Sequence, residues 1–332
     1  MDLPIRYRLA RVPAGLPDAE TWTRTQEPGR APGDGELRLA VRYISIDPAM
    51  AGWIQPVRSY AEPVRVGEVM KAFGIGEVVD SRSERYSTGD VVFGLLGVQT
   101  EVTLPAKGLR KLDPKIVPLP KYLGGLGMPG FTGYFGLTEI GQPKAGETVV
   151  VSAAAGAVGS VVGQVAKISG ARVIGIAGGA DKCRYLLDEL GCDGAIDYKA
   201  EDVGAALDRV VPEGIDVYFD NVGGATLDAV LARIRRHARI VVCGGVSQYA
   251  TLAGARGPAN YLQLVAQSAR MQGFTMLDYL PRIQEAAMQL GALMMKGKLK
   301  TREHIMDGID QFPAALELLF AGGNHGKLMI KV

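Results

Sequence analysis

Thr148-Val149-Val150-Val151-Ser152-Ala153-Ala154-Ala155-Gly156-Ala157-Val158-Gly159-Ser160 is the stretch that decides the fold. The run from Thr148 to Val151 has the apolar, β-branched character of a buried strand. Val161, Val162, Val165, Ala166 and Ile168 then recur at helical spacing, and Ala171 to Ala177 forms a second apolar run. Strand, glycine loop, helix and strand in that order make the βαβ unit of a dinucleotide-binding domain. Such a loop must leave the strand sharply and turn backbone N–H groups toward a pyrophosphate. Gly156 lacks a Cβ and lets phosphates approach, while Gly159 permits close helix–strand packing. Ala154 stands where G-x-G-x-x-G has its first glycine. A lone glycine motif is weak, but this one lies between the strand and helix that give it meaning. Ala157 and Val158 complete the candidate loop.

Residues 148–166 carry no charge, which raises a membrane span as a rival reading. Gly156, Gly159, Gly163, Gln164 and two serines interrupt the apolar face and favour a strand-to-helix turn.

Working outward, the α/β alternation continues through strands at 216–221 and 239–245 and an exposed-looking strand at 271–276. Ile283, Ala287, Leu290 and Met294 mark one face of a helix. The region before about residue 125 reads differently. A half-buried strand over 36–46, a strand–turn–strand over 66–79, and strands at 90–95 and 99–104 suggest a small β-barrel-like domain. Residues 122–137 are expected to begin a helix rich in small residues. Residues 326–332 return to strand character and are expected to rejoin the first domain.

A chain of 332 residues is expected to form about two domains. With 37 basic and 35 acidic residues, no charge excess marks a nucleic-acid or membrane-surface binder. Met1 to Arg8 contains no signal-peptide core, and Cys183, Cys192 and Cys243 show no staple pattern, so a reducing cytoplasm is expected. No metal site is expected: the cysteines are scattered, His237, His304 and His325 lie in the last third, and neither C-x-x-C nor H-E-x-x-H occurs. A hydrolase reading lacks G-x-S-x-G. Arg235, Arg236 and His237 read as a solvated loop, and Cys243 as the end of a buried strand.

The tip of the second strand separates NAD from NADP. An acid about 20 positions past the loop would hold a ribose 2′-hydroxyl. Residues 176–178 contain none, and Lys182 follows, with Tyr198 near the end of the next apolar run. A cation there would neutralise a 2′-phosphate; alternatively Lys182 is a solvated helix-start lysine with Asp181 as N-cap.

Further motifs are Ser45-Ile46-Asp47-Pro48, Val66-Gly67-Glu68-Val69-Met70, Gly130-Phe131-Thr132-Gly133-Tyr134-Phe135-Gly136-Leu137, Asp220-Asn221-Val222-Gly223-Gly224, residues 243–249 and Gly323-Asn324-His325-Gly326-Lys327. With the loop at 153–160, they resemble the zinc-free NADPH branch of the medium-chain dehydrogenase/reductase superfamily. The resemblance extends over nearly the whole chain. It is nearest to the prostaglandin reductases, alkenal/one oxidoreductases and curcumin-reductase-type enzymes.

The resemblance implies an α/β protein with a GroES-like β-barrel domain at 1–125, completed by 302–332, and a Rossmann domain at 126–301. It implies pyrophosphate contacts from Gly156 to Gly159 and 2′-phosphate contacts from Lys182 and Tyr198. It places Asn221, Cys243, Tyr249, Phe274, Met276 and Asn324 around the nicotinamide half of NADPH. It also implies a homodimer joined at the edge strand near Phe274. The implied reaction is reduction of the C=C bond of an α,β-unsaturated ketone or aldehyde, with Tyr249 and the cofactor's ribose hydroxyl as candidate donors to the carbonyl oxygen. Met50, Trp53, Tyr60, Met128 and Tyr261 are candidate substrate contacts. Many relatives carry Asp-Pro-Tyr-Met-Arg where this chain has Asp47-Pro48-Ala49-Met50-Ala51, a departure that bears on substrate preference. A quinone reductase on the same scaffold, or an NADPH-binding protein without turnover, are the alternatives.

Overall fold

The computed structural model describes residues 3–57 and 59–332. The chain divides into two units, one holding residues 1–123, 249–253 and 303–332 and the other 124–248 and 254–302.

The first unit is mainly antiparallel. It contains strands β1 (Ile5–Leu9), β2 (Trp22–Gln26), β3 (Glu36–Ser45), β4 (Phe73–Ser81), β5 (Val91–Leu95), β6 (Glu101–Pro105) and β7 (Arg110–Leu112). After the second unit's β8 (Thr148–Ser152), β9 (Arg172–Ala177), β10 (Gly194–Asp197), β11 (Ile215–Asp220), β12 (Ile234–Val242) and β13 (Arg270–Gly273), it regains β14 (Glu303–Asp307) and β15 (Lys327–Lys331). Its hub is β3. Along one edge β3 pairs β4, while the other edge is shared by β6 against Glu36–Ala40 and β15 against Tyr43–Ser45. Two register shifts in the β3–β4 pair bend this long strand. Alternate residues Leu37, Leu39 and Val41 point into the core, as the polar–apolar alternation demands.

The Ser45-Ile46-Asp47-Pro48 motif explains how the C-terminal strand is held. Lys327, only 3% exposed, donates from Nζ to the Ile46 carbonyl at 2.6 Å and to Asp47 Oδ1 at 2.9 Å. Ser45 Oγ donates to Asp47 Oδ2 at 2.5 Å. Burial holds the Lys327 ammonium below the usual lysine range, opposed by the Asp47 carboxylate.

The second unit is a six-stranded parallel sheet in the order β10-β9-β8-β11-β12-β13. Strand order reverses between β8 and β11, the switch point where doubly wound sheets hold ligands beyond their carboxyl ends. Both faces are covered, so β8 and β11 are buried along their whole length.

The glycines of the 130–137 motif have a packing role. A Cβ on Gly130 would lie 1.9 Å from the Gly125 carbonyl oxygen, and one on Gly133 would lie 3.2 Å from the Val158 oxygen. At Gly136 it would meet the rings of Phe274 and Phe219 within 3 Å. The stripe lets helix Met128–Phe135 press against its neighbours.

Several local readings need correction. Residues 66–67 form a turn rather than a strand, because Gly67 has φ +89°, and only the Val69–Arg8 bridge survives there. The helix expected from 122 begins at Met128, after a short 3₁₀ turn at Leu119–Tyr122. Arg235, Arg236 and His237 belong to β12, not a loop; pairing with β11 jumps from Ile215–Ile234 to Val217–Arg239, and these three side chains face solvent. The strand expected at 271–276 ends at Gly273, and a 3₁₀ helix follows at Met276–Arg282. Among the described residues no helix is long and apolar enough to cross a membrane.

Candidate active site

The glycine loop leaves the carboxyl end of β8. Ala153 takes the left-handed conformation, φ +48°, which turns the chain out of the sheet. A Cβ on Gly159 would lie 2.5 Å from the Ala153 oxygen and 2.7 Å from the Ala154 Cα. Those are backbone atoms with nowhere to move, so glycine is required where the helix Gly159–Ile168 meets the strand. Ala154 is tolerated because Gly175 faces it on β9; a Cβ on Gly175 would come within 2.9 Å of the Ala154 methyl. Near Gly156 a Cβ would meet only the Ala153 oxygen, at 3.1 Å, so the loop mouth is open to a close-approaching phosphate.

The parallel registers bring the ends of the central strands level. Ser152 pairs with Ile176, Ile176 with Ile196, and Asp220 with Val242. Lys182, Tyr198, Asn221 and Cys243 therefore follow strand ends along one edge of this unit, beside the loop.

Asn221 is fixed by Ser152, which sequence reasoning missed. Its Nδ2 donates to the Ser152 carbonyl at 2.7 Å, and its N–H donates to Ser152 Oγ at 2.9 Å. That leaves the Asn221 side-chain oxygen as an acceptor at the sheet edge. Asp220 locks the same turn. Its Oδ1 accepts from Tyr218 OH, Ser152 Oγ and the N–H groups of Val222 and Gly223. Burial pushes the Asp220 carboxyl up, and those hydrogen bonds oppose it. Cys243 donates its backbone N–H to the Asp220 carbonyl, and burial raises its thiol to about 12.

At the outer strands Tyr198 covers the turn after β9. A Cβ on Gly178 would come within 2.8 Å of its ring. Burial, then the neighbouring Lys199 ammonium, hold Lys182 below the usual lysine range. Asp181 is not the N-cap of the short helix Ala180–Arg184; Gly179 is, and Asp181 pairs with Arg184.

Phe274 presses against Gly136 and meets Tyr279 edge-on, with Met276 half-buried beyond it. Tyr249 lies half-buried in the 3₁₀ stretch Val246–Gly254, and clusters with the first unit. Ser247 Oγ just before it donates to the Val222 carbonyl at 2.6 Å. In the first unit, Asn324 Nδ2 donates to the Gly326 carbonyl. Trp53 is buried with its indole Nε1 lacking an acceptor among the described residues. Met50 is 0% exposed and belongs to the hydrophobic core of this unit. Tyr60 and Tyr261 are exposed and Met128 half-buried. Among the described residues no group of three or more His, Cys, Asp and Glu could hold a metal ion.

Comparison with known proteins agrees with this geometry. Residues 6–112 match the family model described as the N-terminal domain of oxidoreductase, and residues 157–293 match that described as zinc-binding dehydrogenase. The chain is 41% identical over 332 residues to the NADPH-dependent curcumin reductase of Escherichia coli (strain K12), covering 98% of this chain and 96% of that protein. It is 40% identical over 303 residues to the NADP⁺-dependent 2-alkenal reductase of Nicotiana tabacum, covering 90% of this chain and 88% of that one. Among solved structures, CurA from Vibrio vulnificus in complex with NADPH superposes with a TM-score of 0.94 at 40% identity, covering 99% of both chains. The GroES-like and Rossmann architecture, the open glycine loop and this likeness over the full length lead to one assignment. The chain belongs to the zinc-free, NADP-dependent reductase group of the medium-chain dehydrogenase/reductase family.

Proposed function

We propose that this protein uses NADPH to reduce the C=C bond of α,β-unsaturated ketones or aldehydes. The observation that carries the reading is its identity with reductases of this group, one of them named for 2-alkenals, which are α,β-unsaturated aldehydes. The residues fit the cofactor. The loop at Gly156–Gly159 is open to a pyrophosphate, residues 176–178 hold no acid for a ribose 2′-hydroxyl, and Lys182 follows them.

Bound NADPH supplies a hydride, which the β-carbon of a conjugated carbonyl accepts because conjugation makes it electrophilic. Two electrons thus enter the substrate, and negative charge develops on the carbonyl oxygen. Preorganised donors must meet that charge. We assign this task to the Tyr249 hydroxyl, a phenol able to donate a hydrogen bond. A proton from water or a tyrosine hydroxyl then completes the α-carbon. Asn221 and Asn324 would orient the nicotinamide half of bound NADPH, with Cys243, Phe274 and Met276 as its further contacts. Met50, Trp53, Tyr60, Met128 and Tyr261 would contact substrate.

NADPH is expected to bind at least about tenfold, or about 1.4 kcal/mol, more tightly than NADH. Lys182→Ala is expected to weaken NADPH far more than NADH, as fluorescence titration of both reduced cofactors would record. Equal affinities in the native protein contradict this choice of cofactor.

We further propose a homodimer joined along β13. Among the described residues this strand pairs only β12; it is exposed over all four residues and leaves a bare sheet edge. Light scattering at micromolar concentration is expected to give twice the 35.3 kDa chain mass. A monomer at that concentration removes the edge-pairing proposal. The whole reading is tested by following NADPH oxidation with a panel of enones, enals and quinones; turnover of quinones alone would favour a quinone reductase.

A further inference from the structure

We propose that Lys199 is a second cation of the site for the cofactor's 2′-phosphate, and that Asp197 positions it by clasping the two loops that form the site. The proposal rests on the NADPH reading above and extends it to residues that reading did not use.

The clasp is a single carboxylate oxygen. Asp197 ends β10, and its Oδ1 accepts from the Gly179 N–H at 2.7 Å and the Lys199 N–H at 3.0 Å. One amide belongs to the turn after β9, which leads to Lys182; the other belongs to the turn carrying Tyr198 and Lys199. Tyr198 N–H also donates to the Ala177 carbonyl, extending the β9–β10 pairing by one bond. Gly179 has φ +97°, and Gly178 lies bare beneath the Tyr198 ring. The turn after β9 could not hold this shape with a side chain at those two glycines.

The charge balance points the same way. Lys182 and Lys199 are close enough for Lys199 to depress the Lys182 ammonium. Two like charges brought together by a fixed turn cost free energy unless an anion joins them. Asp181 pairs with Arg184, and Asp197 Oδ1 accepts from two amides. Lys199 has no acidic partner among the described residues and is exposed, free to reach an anion over the Tyr198 edge. A phosphomonoester on a ribose is the chemistry this arrangement fits. A bare 2′-hydroxyl needs an acceptor, and two ammonium groups offer none.

The test is calorimetric binding of adenosine 2′,5′-bisphosphate and of 5′-AMP to the full chain, for wild type, Lys199→Gln, Asp197→Ala and Asp197→Asn. Lys199 is exposed, so Lys199→Gln is expected to keep the fold. It should weaken the bisphosphate by about fivefold, as befits an exposed ion pair, and leave 5′-AMP unchanged. The bisphosphate affinity of wild type should fall more steeply with salt than that of Lys199→Gln. Asp197→Ala should lower bisphosphate affinity more than Lys199→Gln does, and Asp197→Asn, which keeps the accepting oxygen, should restore most of it. Unchanged bisphosphate binding in Lys199→Gln, with the preference over 5′-AMP intact, overturns the role of Lys199 while leaving NADPH as cofactor. Equal binding of both nucleotides to wild type overturns the NADPH reading itself, and this proposal with it.

Discussion

Tyr249→Phe is expected to slow hydride transfer to a simple enone by up to two to three orders of magnitude, because removing one donor to a developing oxyanion costs roughly 2.7–4 kcal/mol. The loss is smaller if the cofactor's ribose hydroxyl shares the oxygen. NADPH affinity should change little, since the ring remains. The position suits the task. Tyr249 follows β12 of a parallel sheet, and the chain leading to it is tied to the Asn221–Gly223 turn by Ser247. Single-turnover transfer, with cofactor affinity measured separately, checks both halves. Unchanged transfer would reduce Tyr249 to packing.

The second large effect concerns stability. Asp47→Ala is expected to cost about 3–5 kcal/mol, the penalty for stripping a buried charge of its partner. Lys327 would keep only the Ile46 carbonyl for an ammonium that is 3% exposed. Asp47→Asn, retaining an oxygen acceptor, should lose less. The pH dependence has a definite sign. Burial puts the folded Lys327 below its unfolded value, so the unfolded chain binds more protons between the two. Stability from this group therefore rises with pH through that window, and falls as pH drops toward the folded value. The slope should be stronger in Asp47→Ala, because the carboxylate that favours the charged form is gone. Urea unfolding at several alkaline pH values measures it; a mild, pH-independent loss would show that the pair does not anchor β15.

The sequence made the Rossmann unit legible because its signals are local. β8 reads as a strand without reference to anything distant, and Gly156 and Gly159 announce the turn that follows. Counting from that loop reaches 176–178, with Lys182 following and Tyr198 near the end of the next apolar run, and makes both candidates. What escaped was tertiary. Arg235, Arg236 and His237 look like loop residues because their polarity is local, whereas their place in β12 depends on a register jump against β11. Val66 and Gly67 sit among residues with strand character, but the positive φ of Gly67 breaks the run. Ser152, Asp197 and Asp220 were missed because each bonds to groups brought near by folding. A polar residue closing an apolar strand was the available signal for Ser152, Asp197 and Asp220.

The most direct test of the account is the product formed from an enone and NADPH deuterated at the transferring C4 position of its nicotinamide. The account predicts the saturated ketone, with deuterium on the former β-carbon and a solvent-derived proton on the α-carbon. An allylic alcohol with deuterium on the carbonyl carbon, or no NADPH oxidation with any conjugated carbonyl, would contradict it.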